Sequence, residues 1–390
     1  MMLDTEKMLA EASAQIGSDD FGDDSFREPF EVLVQALNTE ARLHAEGMRA
    51  QHARIVGILA GRLQLQTFVA RYPEIRDEVI VRPAVIAGLP RTGSTLLHRV
   101  LASDSRFYAP LWYEVRFPSP ATDWDFTVAN DARIPRAKAE VQAMLDASPA
   151  LAAIHPMDAL APDEEILLLE NSFYSTVPPS GTWVPTYSRW VAEHDNTPGY
   201  EYLKLQLQFL QWQKKKSGVA NHAERWLLKA PHHLHYMDTL LKIFPDATIV
   251  QTHRDPVETI PSICSFMRAL YVMASDHVDA GGIADEWSAK WANGLAHTMA
   301  VRVAFGGSAQ QRFLDVYYVD SIDNPDAEIE RVYEFTGLQL TAEARAAMAQ
   351  WRDANRRELR PSHDYVMADY GLTEAGIKQQ FADYREVFFA

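Results

Sequence analysis

Cysteine is almost missing from this sequence. Cys264 stands alone among 390 residues, so no disulfide can close within the chain. That usage suits a reducing compartment such as the cytoplasm. Long apolar runs are missing too: no stretch reaches the roughly 18 uncharged apolar residues of a membrane-spanning helix. Met1–Ala14 mixes charged and apolar residues and lacks the positive start and apolar core of a secretory signal. The expectation is a cytoplasmic protein without a transmembrane segment. Positive charge is scarce, with 37 Lys and Arg against 53 Asp and Glu and a net charge of −16. A general nucleic-acid binder needs a basic footprint, so that class is disfavoured. Docking on an anionic membrane is disfavoured for the same reason. Any anionic ligand must be held by a few placed cations and backbone N–H groups. Hydrophobic residues at 47% and charged residues at 23% are globular proportions. At about 150 residues per domain, the length allows one large domain with an appendage, or two domains.

Residues 1–80 have helical spacing, with Leu33, Val34 and Leu37 and then Ile55, Ile58, Leu59 and Leu63. The character changes at Val79. Val79–Val81 and Ala84–Ala87 have the apolar make-up of a buried strand. Gly88–Gly93 is a turn, and Ser94 opens a helix. Further apolar strands are expected at Trp226–Lys229, Ala247–Thr252 and Phe313–Val319, with helices between them. Alternating strands and helices imply an α/β fold with a central parallel sheet flanked by helices. The expected division is an N-terminal helical segment over 1–80 and an α/β domain over 81–390. In such sheets ligands bind beyond the carboxyl ends of the strands, where the conspicuous polar clusters fall. Lys214–Lys216 has the place of a solvated helix end.

Gly88-Leu89-Pro90-Arg91-Thr92-Gly93-Ser94-Thr95 keeps the Walker A spacing in all but its lysine, replaced by Ser94. A glycine loop opening a helix offers free N–H groups and the positive dipole end to an anion. The plain alternative is a strand-to-helix turn capped by Thr92 or Ser94. A second cluster, His253-Arg254-Asp255-Pro256 followed by Ser262, ends another strand. Arg254 is a forked donor suited to phosphate, or a helix-entry partner for Asp255 or Glu258. Lys229-Ala230-Pro231-His232 ends a third.

Pro90–Leu97 resembles the 5′-phosphosulfate loop of sulfotransferases that use 3′-phosphoadenosine 5′-phosphosulfate (PAPS), in the arginine form frequent in the bacterial branch. Arg254 and Ser262 resemble that family's 3′-phosphate site, and Lys229-Ala230-Pro231 resembles its strand-end lysine segment. The resemblance covers about Ala84 to the C-terminus. It implies a P-loop-NTPase-like three-layer fold, PAPS as donor, 3′-phosphoadenosine 5′-phosphate (PAP) as product, and no metal. It makes Arg91, Thr92, Gly93, Ser94, Thr95, Arg254 and Ser262 donor ligands, with Arg91 and Lys229 neutralising the leaving oxygen and the sulfonate.

The acceptor's proton needs a base. Glu114, 21 residues after Gly93, resembles the glutamate of carbohydrate-acting members. His232 resembles the histidine of the small-molecule branch, although it lies one residue late for that branch's K-x-H. Glu114 is the first choice and His232 the second. Glu114 could equally serve an ion pair. His232-His233-x-His235 lacks the cysteine or carboxylate company of a metal site. Phe173, Tyr174, Trp183, Tyr187 and Trp190 either line an acceptor pocket or pack the core. The stretch with Arg356, Arg357 and Arg360 does not match the family's late basic loop. The expected acceptor is a small molecule, lipid, glycolipid or sugar offering a hydroxyl or amine. The alternatives are a P-loop nucleotide kinase or NTPase, which Ser94 argues against, and a non-catalytic nucleotide-binding protein of the same fold.

Overall fold

Five segments pair into one sheet: β1 (Ala84–Gly88), β2 (Phe107–Tyr108), β3 (Arg225–Lys229), β4 (Thr248–His253) and β5 (Phe313–Tyr317). Their spatial order is β2-β3-β1-β4-β5, and every pairing is parallel. The computed structural model describes residues 2–126, 130–148, 157–218, 223–356 and 365–389. Val85 lies opposite Leu228 on one side and Ile249 on the other. β1, β3 and β4 are buried along their whole length. That is why they appear in the sequence as apolar runs rather than as alternating patterns.

Helices α1 (Thr5–Ile16), α2 (Arg27–Thr39) and α3 (Ala45–Arg71) precede the sheet. Between β1 and β3 lie α4 (Ser94–Leu101), α5 (Trp112–Arg116), α6 (Arg133–Ala147), α7 (Ile166–Glu170), α8 (Val177–Gly181), α9 (Pro185–Glu193) and α10 (Thr197–Lys216). α11 (Met237–Ile243) joins β3 to β4, and α12 (Pro256–Tyr271) and α13 (Ala280–Phe305) join β4 to β5. After β5 come α14 (Tyr318–Asp323), α15 (Pro325–Thr336), α16 (Ala342–Ala354), α17 (Glu374–Gln380) and α18 (Ala382–Phe389).

Strand side chains alternate between two cores, as the period of two requires. Ala84, Ile86, Leu227, Val250 and Val316 meet Leu97, Val100, Ile329, Val332 and Met348 from α4, α15 and α16. Val85, Ala87, Leu228 and Ile249 belong to the larger core, with side chains of α3, α10, α12 and α13. The helical spacing of α3 is borne out, since Ile55, Ile58, Leu59 and Leu63 are all buried there. Each contributes about 1.5–3 kcal/mol by leaving water. The first 80 residues thus share a core with the sheet. Polar contacts add to this: Arg54 pairs bidentately with Glu170, and Arg62 donates to the Asn171 carbonyl at 3.1 Å.

Two strand expectations need correction. Val79–Val81 is not part of β1, and Val79 and Val81 are exposed. Arg82 takes a positive φ of 43° and Pro83 has no N–H, so the ladder starts only at Ala84. At the other end, β5 stops at Tyr317 and Tyr318 already begins α14, leaving Val319 exposed.

Candidate active site

β1 and β4 approach closely where their ends meet. A Cβ on Gly88 would lie 2.2 Å from Thr252 Oγ1, so only glycine fits. The loop that follows turns sharply into α4. Gly93 (φ 83°) is its N-cap, and Arg91 takes φ 72° without being glycine. A left-handed residue other than glycine costs on the order of 1–2 kcal/mol. Thr92 is buried, and its hydroxyl donates to the Leu89 carbonyl at 2.7 Å and meets Thr252 Oγ1 at 2.7 Å. Its side chain is therefore tied inward, leaving backbone N–H groups of the first α4 turn as anion donors.

Arg91 and the 3′-phosphate candidates come together. Arg91 Nε donates to Ser262 Oγ at 3.2 Å. Arg254 Nη1 donates to the Arg91 carbonyl at 3.1 Å. Arg254 also pairs with Glu258, so the helix-entry ion pair and the cluster coexist. Asp255 caps α12 through the Val257 N–H at 3.0 Å and receives the Arg385 guanidinium.

Lys229, at the end of β3, is buried. Its Nζ donates to Thr95 Oγ1 at 3.3 Å and forms an ion pair with Glu164. Its backbone N–H donates to Glu165 Oε2 at 2.7 Å. Glu165 is fully buried, and its other oxygen meets His233 Nε2 at 2.6 Å, while His233 Nδ1 meets Tyr200 Oη at 2.8 Å. Burial holds the Tyr200 phenol well above its ordinary range, so it stays protonated beside His233. Glu164 and Glu165 were not foreseen. In the sequence they are two acids ahead of the apolar run of α7, indistinguishable from ordinary first-turn acids. Only the fold brings them 65 and 64 residues back in sequence from Lys229.

Glu114 does not join this group. It is buried, accepts from the Leu111 N–H at 2.9 Å as the cap of its own short helix, and forms an ion pair with Lys214. Among the described residues its hydrogen bonds and ion pair go to Leu111, Tyr113 and Lys214 rather than to Lys229. Lys214 is accordingly buried rather than solvated, because the last turn of α10 delivers it to that carboxylate. His232 is fully buried, with Nδ1 3.2 Å from Thr176 Oγ1 and Nε2 without a partner. Burial pushes its imidazole well below the usual histidine range, and the charges of His233, His235 and Lys290 push the same way. It is held neutral.

The three histidines after Lys229 diverge: His232 to Thr176, His233 to Glu165, and His235 against the Trp291 ring, 5.2 Å between centroids. Among the described residues no cluster of His, Cys, Asp and Glu could hold a metal ion. Phe173 packs in the core beside Phe26 and Phe30, and Tyr187 is buried with its hydroxyl donating to the Phe173 carbonyl at 2.7 Å. Arg357 and Arg360 lie outside the described residues.

The chain has relatives among known proteins. The family model described as "Sulfotransferase family" matches residues 83–342. The sulfotransferase STF1 from Mycobacterium tuberculosis is 30% identical, with a TM-score of 0.83 over 98% of this chain and 99% of that one. STF9 from Mycobacterium avium is 27% identical, with a TM-score of 0.86 over 99% and 96%. A curated relative, the omega-hydroxy-beta-dihydromenaquinone-9 sulfotransferase Stf3 of Mycobacterium bovis, is 24% identical over 291 residues. That alignment covers 68% of this chain, and it spans about 65% of the relative's length. The match runs through the strand-end loop, the β3 lysine and the β4 arginine, and by it the chain belongs to the sulfotransferase family.

Proposed function

We propose that the chain moves a sulfuryl group from PAPS to a hydroxyl of a neutral or lipophilic small acceptor. The observation that carries this reading is the reach of Lys229 Nζ, which touches both Thr95 at the mouth of the loop and Glu164. A cation between a phosphate cradle and a carboxylate is the arrangement that transfer needs. The 5′ end of PAPS would sit on the N–H groups opening α4, with Arg91, Ser94 and Thr95 around it. Arg254 and Ser262 would hold the 3′-phosphate, and Thr92 and Gly93 would contribute backbone.

The reaction makes one bond and breaks one. The acceptor oxygen attacks sulfur in line, the bridging bond from sulfur to the phosphate oxygen breaks, and the acceptor's proton must leave. Charge grows on the departing phosphate oxygen of PAP, where Arg91, Lys229 and the helix N-terminus neutralise it. The proton goes to Glu164, which is partly solvent-accessible and held by Lys229. Glu114, the sequence's first candidate, has its oxygens on the Leu111 N–H and Lys214 instead, and His232, the second, has Nδ1 on Thr176 and is fully buried.

The acceptor class rests on two supports. One relative is named for a hydroxylated menaquinone derivative. The net charge of −16 discourages polyanionic acceptors. A cytoplasmic site of action fits the single buried cysteine, and among the described residues no helix is long and apolar enough to cross a membrane.

The test is incubation with ³⁵S-labelled PAPS and a fractionated lipid extract of the source cell, followed by identification of the labelled product. The expected result is one labelled, chloroform-soluble species that disappears with Arg91→Ala, together with weaker PAP binding by that variant. Unchanged turnover in Arg91→Ala, or Mg-ATP hydrolysis without any use of PAPS, would overturn the reading.

A further inference from the structure

Arg254 makes contacts that recognition of a phosphate alone would not require. One N–H edge grips a single oxygen of Glu258, from Nε at 3.0 Å and from Nη2 at 2.7 Å. The guanidinium carbon sits 4.1 Å from the centroid of the Tyr318 ring. The same ring backs the loop, since a Cβ on Gly93 would lie 3.0 Å from it. The third contact is the bond from Nη1 to the Arg91 carbonyl at 3.1 Å. Arg91 is the residue whose left-handed backbone the loop must hold against its own preference. Its side chain returns to Ser262, one turn beyond Glu258 on α12. Contacts therefore close a ring: α12 to Arg254, Arg254 to the Arg91 backbone, and the Arg91 side chain back to α12.

A guanidinium carries five N–H donors. Three are used in these bonds, so two remain for an incoming phosphate. Binding the 3′-phosphate and holding the loop are thus compatible tasks for one side chain.

We propose that Arg254, seated by Glu258 and Tyr318 as positioning residues, is the clamp that keeps the phosphosulfate loop in its binding shape. Grip on the 5′ group and recognition of the 3′-phosphate are then coupled, and the coupling is reciprocal. This rests on the donor assignment above.

Two measurements test it. Hydrogen exchange of the amides of residues 89–96 needs no ligand. Arg254→Ala should speed it about 10-fold, and Glu258→Gln or Tyr318→Leu about 3-fold, with exchange in β3 and α13 unchanged as the control for folding. Should Arg254→Ala fail to fold, the other two variants carry the comparison. Calorimetry with PAP and with adenosine 5′-phosphate, which lacks the 3′-phosphate, is the second. Arg254→Ala should weaken both ligands. Unchanged loop exchange in the folded variants, or loss of affinity for PAP alone, would overturn the clamp. Wild-type protein that binds no PAP would overturn the donor assignment instead, and the exchange comparison would still decide the clamp.

Discussion

At the ends of β1 and β4 the proposed donor ligands come from two contiguous stretches, residues 88–95 and 254–262. At the end of β3 the polar contacts, including the proposed base, are assembled from distant pieces: Lys229 with Glu164, and Glu165 with His233 and Tyr200. The difference follows from what each end must do. Cradling a phosphate needs backbone N–H groups in one tight turn, so the residues must be adjacent. Setting a proton acceptor beside a cation needs only that two side chains converge, and any two segments can supply them.

The sharpest way to break this comparison is to neutralise the two carboxylates in turn. Glu164→Gln should lower kcat by roughly 10²- to 10⁴-fold with PAP affinity nearly kept, as expected for a lost general base. Glu114→Gln should instead leave kcat within a few-fold and lower stability. It would strand the Lys214 ammonium, and breaking a buried pair costs about 3–5 kcal/mol. The effect should fall toward the lower end, because Lys214 sits at a helix C-terminus where the dipole favours a cation. Steady-state ³⁵S transfer and urea unfolding separate the two. A Glu114→Gln protein of normal stability and lost kcat would return the base to Glu114.

The fold was largely legible because buried parallel strands are near-continuous apolar runs, and β1, β3 and β4 carry that mark, while the edge strand β5 is only partly buried and contains Asp315. β2 was not, since two residues, Phe107 and Tyr108, leave no pattern. Arg91 could be read because it sits between Gly88 and Gly93, and Arg254 with Ser262 because both belong to one strand-end and helix segment, although Arg91 meets them across 163 and 171 residues. Glu164 could not, since its partner is 65 residues away and an acid before a helix has a common, innocent role. Glu114 drew attention through spacing alone, and spacing does not say which cation a carboxylate will meet.

A second prediction concerns the histidines around β3. Burial first, and nearby cations after it, push the imidazoles of His98 and His232 well below the usual range, and that of His235 down to about 3. In the unfolded chain each would titrate near its ordinary value of about 6.5. Their contribution to stability is therefore complete above about pH 6.5 and is lost as the pH falls below it, because the unfolded state then binds more protons. Each adds a slope of up to about 1.4 kcal/mol per pH unit. Urea midpoints at about pH 7.5 and pH 5.5 check this, with a lower midpoint expected at the acid end. A flat response would mean that water reaches these rings.

The smallest effect belongs to the end of the lysine run. Lys214 is buried on Glu114, Lys215 pairs with Glu78 at 2.6 Å, and Lys216 is about half exposed, 4.0 Å from a half-exposed Glu74. Exposed pairs contribute about 0–1 kcal/mol. Lys216→Ala should therefore shift stability by no more than about 0.5 kcal/mol and leave PAP affinity untouched, measured by urea unfolding and calorimetry. Three identical residues in a row would then span the range from buried ion partner to solvated surface. A marked loss of PAP binding in Lys216→Ala would draw this helix end into the donor site, and the division between contiguous donor ligands and dispersed β3 chemistry would no longer hold.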